Sequence, residues 1–383
     1  MGYLAACGFD TGDTAGAITA GTGGGVVSFS NSIARDGGYS LRCTPVGAGT
    51  AEIQYATMDL TTGAAAIYSA ATVYHRFYMY IAALPASANE EFFQSWNTGA
   101  TGKINLRITS AGNILAYDSV TALVGTGTAT LVTGVWYMIE VKCATGSPAA
   151  FEVMVDGVVD ISATGNLNAS NNGRVRFGKG NNRNSQGYDI YFDTWAVSDS
   201  GYPGRGKGKW VSPTSTPTSQ WTSGTGTSNH LEVDEIPVNL ADYVMNTTSA
   251  SRRVLFAFPT TTSLSISGQI NAVMPLLLGC RENTSVTSSF DGEIWPSAGF
   301  KSIFGSALNI TTTDRVIGGF YALNPETSAQ WTTAELDASK VGALEANASA
   351  QCRIAGAGYY VDYTPPADVI DAYRGFFALT RIQ

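Results

Sequence analysis

Few residues in this chain of 383 could do covalent chemistry. Only two histidines occur, His75 and His230, so a Ser–His–Asp or Cys–His triad must use one of them. His75 sits inside Tyr74–Ile81 (YHRFYMYI), a run alternating large aromatics, and reads as a packed or edge-facing strand histidine. His230 follows a Ser/Gly/Thr stretch and has no partner histidine for zinc. Neither lies near a Gly-x-Ser-x-Gly elbow. Among the acids, Glu232-Val233-Asp234-Glu235-Ile236-Pro237 comes nearest to a catalytic pair. Acids alternating along a strand project from one face, and retaining glycoside hydrolysis needs two carboxyl groups about 5–5.5 Å apart. Pro237 follows at once, and proline interrupts a strand, so the segment reads as a turn with solvated acids. Gly21-Thr22-Gly23-Gly24-Gly25 lacks the lysine and following helix of a phosphate-binding loop and reads as a flexible turn.

Binding chemistry is better represented. Gly178-Lys179-Gly180-Asn181-Asn182-Arg183-Asn184-Ser185-Gln186-Gly187-Tyr188-Asp189, preceded by Asn171-Asn172-Gly173, collects amide and carboxylate oxygens on Gly-rich backbone, the donor set that ligates calcium. Asp189 is its one carboxylate, and Lys179 and Arg183 oppose a cation. The expectation is therefore no cofactor, calcium at this rim being the one exception the pattern would admit. Tyr39, Tyr68 and Tyr188 are aromatics that could stack on sugars if exposed. Tyr373, Phe376 and Phe377, after a Pro-Pro break, make an apolar tail that either docks back or inserts into a neighbour, and an assembly anchor is the expectation.

Composition limits the partners. Hydrophobic residues make up 44% and aromatics 11%, enough for real cores and too much for disorder. Only 14% are charged, against roughly 25% in an ordinary globular chain. A net charge of -8 argues against binding nucleic-acid phosphates, which draws on clustered Lys and Arg. No apolar run approaches the roughly 20 residues that span a bilayer, and the first residues do not read as a secretory signal. A soluble protein is expected. Five cysteines at wide, irregular spacing, with no Cys-x-x-Cys, suit buried reduced thiols better than a disulfide framework or a zinc site.

The positioning elements are strands. Phe151–Val155, Asp156-Gly157 and Val158–Ile161 form a hairpin signal, because a type I′ turn needs positive φ at both central residues. Further strands are expected at 25–29, 40–44, 92–96, 103–108, 114–117, 136–143, 174–177 and 189–198. A Gly/Pro-rich break at 201–213, running into Thr/Ser/Pro to Gln220, predicts a linker. Beyond it, strands are expected at 230–233, 253–258, 263–270, 273–278, 302–304, 316–323, 351–355 and 358–363. A helix is predicted from Thr332, where Thr332 and Glu335 form a capping box, Leu336 and Val341 supply an apolar face, and Gly342 stops it. The fold class is all-β: two tandem antiparallel β-sandwich (jelly-roll) domains with one short helix in the second. Residues 1–200 form the first, 201–220 the linker, 221–366 the second, and 367–383 the tail.

Two resemblances follow. Trp136-Tyr137-x-Ile139-Glu140-Val141, Phe151-Glu152-Val153-x-Val155-Asp156-Gly157 and Tyr188-Asp189-Ile190-Tyr191-Phe192-Asp193-x-Trp195-Ala196-Val197 resemble successive strands of laminin-G/concanavalin A-like jelly rolls, and Phe9-Asp10 is similar to their opening segment. That resemblance implies a last strand lying near the first. It also implies a loop rim able to hold glycans, here Tyr188, Asp189, Asn181, Asn182 and Arg183. Asn324-Pro325-Glu326-Thr327, Trp331, the short helix and Tyr360-Val361-Asp362-Tyr363-Thr364-Pro365 look like the distal domain of tailed-phage virion proteins. That resemblance implies a non-enzymatic virion structural protein, an outward-facing capsid decoration, head fibre or tail component. Its partners would be other virion proteins and copies of itself, with no nucleic acid or membrane. A lectin-like adhesin for host-surface glycans is the alternative.

Overall fold

Along Thr72–Ala83, large apolar side chains recur at every second position, and the segment forms a 12-residue strand. Val73, Phe77, Met79 and Ile81 are buried on one face. Both edges are hydrogen-bonded, to Trp136–Ala144 and to Asp189–Ser198. An eight-stranded antiparallel sheet grows from this centre. The opening strand Tyr3–Cys7 joins it by pairing with Asp189–Ser198, Tyr3 opposite Ser198 and Cys7 opposite Trp195, so the last strand of the unit does lie beside the first.

The computed structural model describes residues 2–10, 18–23, 26–44, 50–55, 68–86, 89–99, 101–179, 187–247, 251–281, 289–296, 299, 301–302, 308–309, 315–345 and 351–366. The chain divides into two compact units, Met1–Gly204 and Arg205–Gln383.

In the first unit, a seven-stranded sheet faces the eight-stranded one. Its spatial order is Leu123–Thr126, Ile114–Asp118, Gly102–Ile108, Glu90–Asn97, Asn172–Lys179, Thr50–Tyr55, Ile18–Gly23. Aromatic pairs cross between the layers: Phe77 stacks on Phe93 at 4.8 Å, and Phe192 meets Phe177 at 5.0 Å. Such rings bury large area and add directional contact energy, and they form the middle of one continuous core. The Phe151–Val155 hairpin forms as expected, with Asp156 at φ 53° and Gly157 at φ 81°. Gly21–Gly23, expected as a flexible turn, belongs instead to the Ile18–Gly23 strand. It pairs with Thr50–Tyr55.

The second unit is also a β-sandwich, of two six-stranded sheets. One is built on the paired strands Gln269–Arg281 and Cys352–Thr364, the other on Arg252–Ala257 and Lys340–Glu345. Half of the expected linker at 201–220 is strand: Lys207–Val211 pairs with Cys352–Thr364, and Ser215–Ser219 pairs with Arg252–Ala257. Gly208 serves contact rather than flexibility, since a Cβ there would run into the Tyr360 ring.

The capping box forms as read. The Thr332 hydroxyl accepts from the Glu335 N–H at 3.2 Å, and the Thr332 N–H donates to the Glu335 carboxylate at 2.8 Å. The helix Thr333–Ala338 ends earlier than expected, however. Val341 and Gly342 lie in the Lys340–Glu345 strand, where Gly342 packs against the Val254 carbonyl. The strand expected at 230–233 is a 3-10 helix, Asn229–Glu232. All five cysteines are buried and none is joined in a disulfide.

Candidate functional site

Of the rim residues, Asn181, Asn182 and Arg183 lie outside the described residues, as do Tyr373, Phe376 and Phe377 of the tail. Tyr188 does not stand where it could stack on a sugar. Tyr188 is 2% exposed and shares the core with Ile190 and Phe192, which follow it at every second position. Asp189 is spoken for by the guanidinium of Arg42, with Nε to Oδ1 and Nη2 to Oδ2 both at 2.9 Å, and by the Thr44 hydroxyl at 3.1 Å. Tyr68 is likewise buried. His75 is a core residue whose Nδ1 accepts from the Trp195 indole N–H at 3.3 Å, and burial pushes its imidazole down to about 3.

The acidic segment is a loop staple. Glu232 accepts from the hydroxyls of Ser223, Thr225 and Thr227 and from the Tyr243 N–H. Burial alone would raise its carboxyl, but these hydrogen bonds together outweigh it and hold the group down to about 2. Asp193 has a similar role in the first unit. It accepts backbone N–H bonds from Arg35 at 2.8 Å, Asp36 at 3.1 Å and Thr194 at 2.7 Å. Burial, then Asp10 and Asp36, raise its carboxyl well above the usual range. Among the described residues, no group of three or more His, Cys, Asp or Glu side chains is placed to hold a metal ion.

Polar side chains converge on the outer face of the seven-stranded sheet. Glu91, Gln94 and Trp96 come from Glu90–Asn97; Asn105 and Arg107 from Gly102–Ile108; Tyr117 from Ile114–Asp118; Arg174 and Arg176 from Asn172–Lys179. The register sets Glu91 opposite Arg107, Gln94 opposite both Asn105 and Arg176, and Trp96 opposite Arg174. One network runs across them. The Arg176 guanidinium lies 3.6 Å over the Trp96 ring. The Trp96 indole N–H donates to Gln94 Oε1 at 2.7 Å, and Gln94 Nε2 donates to Glu91 Oε2 at 2.8 Å. Glu91 Oε1 accepts from the Asn105 amide and from Arg107 Nη2, the latter at 3.4 Å. The Arg107 guanidinium in turn lies 3.9 Å over the Tyr117 ring.

A bulge makes this face. Strict alternation would put Glu91 on the same side as Phe93 and Ser95, which point inward. The register shifts between Glu91 and Phe93, so Phe92 and Phe93 both enter the core and Glu91 comes round beside Gln94. Bulges re-aim side chains in this way. Sequence reasoning placed the strand but missed the face, because one extra residue inverts parity and only the adjacent Phe92-Phe93 pair hinted at it. The centre of the network is nearly dry: Glu91 is 3% exposed, Arg107 4% and Gln94 6%. Trp96, Asn105, Tyr117, Arg174 and Arg176 around it are half-buried.

No family model and no characterised protein sequence matches the chain. Similar solved structures include the cellulose induced protein Cip1, at 17% identity and TM-score 0.41, covering 52% of this chain and 99% of that one. A sialidase is 12% identical with TM-score 0.40, over 52% of this chain and 18% of that one. Domain 4 of AbnA, a GH43 extracellular arabinanase from Geobacillus stearothermophilus solved with arabinotriose, is 13% identical with TM-score 0.35, over 52% of this chain and 92% of that domain.

Proposed function

We propose that the first unit is a saccharide-binding module whose ligand lies on the outer face of the seven-stranded sheet. The observation carrying this reading is the half-buried arc of Trp96, Asn105, Tyr117, Arg174 and Arg176 around the nearly dry Glu91–Arg107 pair, which with Gln94 holds the first three of those side chains in place. A sandwich needs its inner faces dry, whereas its outer face can stay solvated. Desolvating two charges costs several kcal/mol per ion and is weak support for stability. Planar carboxylate, amide and guanidinium groups, fixed by one another and flanked by aromatic rings, are instead the fittings that orient a hydroxyl-rich ligand.

We read the surface as binding rather than catalytic. Both oxygens of Glu91 are engaged by neighbours, and acid–base chemistry would have to break those bonds first. Placement on a phage particle as a decoration, fibre or tail component, with other virion proteins and further copies as partners, rests on the resemblance of residues 221–366. In that setting the first unit would be the adhesive part and the second the mount.

Affinity electrophoresis of the purified full chain through gels containing single polysaccharides, neutral and acidic, tests the reading. Retardation by at least one polymer, weakened about tenfold by Gln94→Ala or Asn105→Ala, is the expected result. Free migration through the whole panel would refute it.

A further inference from the structure

Resting on that reading, we infer that the saccharide is a polyanion, bearing carboxylate or sulfate groups along an extended chain. Among the described residues of the face, three guanidinium groups, the nearly dry Arg107 paired with Glu91 and the half-buried Arg174 and Arg176, stand against that one carboxylate. Whatever hydrogen bonds these arginines make within the protein, the fixed positive charge outnumbers the negative. It does so in a chain of net charge -8, where a cationic island runs against the general trend. Repulsion from distant acids reaches only about 8–10 Å at physiological salt, so contact charges on the face decide which ligand settles there.

Geometry points to an extended ligand. Arg174 and Arg176 lie two residues apart on one strand, and Arg107 lies two strands away, so the charges span about 7 Å by about 10 Å. Ring contacts set the guanidinium planes, Arg107 on Tyr117 within the dry pair and Arg176 on Trp96 at the half-buried edge, and the latter favours bidentate capture of planar carboxylate or of sulfate oxygens. The same contacts argue against single-stranded nucleic acid, whose bases need aromatic faces to stack on; here guanidinium groups already cover one face of each ring.

The test measures affinity of the full chain for matched pairs of polymers: polygalacturonic acid against its full methyl ester, and dextran sulfate against dextran, with a single-stranded oligodeoxynucleotide alongside. The expected result is binding to at least one charged member about tenfold or more tighter than to its uncharged counterpart. The carboxylate and sulfate pairs show which group is read. Arg174→Gln with Arg176→Gln should abolish that preference, while Lys142→Gln with Lys301→Gln, an equal loss of charge elsewhere, should leave it. If the arginine variant does not fold, the salt titration of the unaltered protein decides: affinity must fall steeply with ionic strength. Equal binding of charged and uncharged members, or binding insensitive to salt, overturns the acidic assignment and leaves a neutral saccharide site standing; equal binding of the oligonucleotide overturns it in favour of a surface that takes polyanions without reading a saccharide. Binding to no polymer overturns the saccharide reading itself.

Discussion

The hydroxyl of Tyr188 donates a 2.6 Å hydrogen bond to the backbone carbonyl of Glu91. One residue lies just before the final strand of the eight-stranded sheet and the other in the middle of the seven-stranded sheet, so the bond crosses the sandwich. It ends on the bulge that turns the Glu91 side chain outward. Tyr188, read from the sequence as a ligand contact, thus acts one step back, by holding the backbone from which the network projects.

Tyr188→Phe should leave the Glu91 carbonyl buried without this donor and destabilise the first unit by about 1–3 kcal/mol. Denaturant unfolding measures the loss. Saccharide affinity should fall as well, although Tyr188 does not touch the ligand; an unchanged affinity with lowered stability would separate the bulge from binding.

Removing one member of the Glu91–Arg107 pair, whose side chains are only 4% and 5% exposed, should cost more than removing both. Glu91→Leu strands a buried guanidinium and is expected to cost about 3–5 kcal/mol, most of it recovered in Glu91→Leu with Arg107→Met. Unfolding free energies of the two variants give the comparison. A double variant no more stable than the single one would show that the pair is not the desolvated unit described.

Much of the architecture was legible from residue order. Asp156-Gly157 declared its hairpin because few residue pairs accept positive φ twice, and Thr332 with Glu335 declared the helix start. Three features were not legible, each because a local signal has two physical meanings. Gly208 and Gly342 looked like breakers, yet their missing Cβ makes room for Tyr360 and for the Val254 carbonyl. Tyr188 looked like a rim aromatic, although its parity with Ile190 and Phe192 marks it as core. The site itself depended on the bulge at Phe92, which alternation cannot foresee.

Acid should weaken the second unit through Glu232. Its carboxyl drops from an ordinary 4.5 to about 2 on folding, so the unfolded chain binds the proton first. The stabilisation is fully present above about pH 4.5 and is lost as pH falls through 2. It amounts to roughly 2–3 kcal/mol. Thermal unfolding followed from pH 6 to pH 2 should show this slope, and Glu232→Gln should flatten it. An equally steep decline in the variant would assign the acid sensitivity elsewhere.

His75 should weaken the first unit in a higher window. Burial lowers its pKa from 6.5 to about 3, so between those values the unfolded chain takes a proton that the folded chain refuses. The cost grows as pH drops below 6.5 and reaches about 2 kcal/mol by pH 5. Imidazole nitrogen shifts should report neutral His75 at pH 5; a charged ring there would contradict its placement in the core.

Trp96 offers the most direct view of the proposed ligand surface, because its indole N–H is tied to Gln94 and its ring carries Arg176. The decisive measurement follows the Trp96 indole N–H resonance while an acidic oligosaccharide is titrated into the full chain. A saturable shift of that resonance, absent with the uncharged counterpart and lost in Arg174→Gln with Arg176→Gln, is predicted. Saturable binding that moves Trp136 on the opposite sheet and leaves Trp96 unmoved would contradict the account.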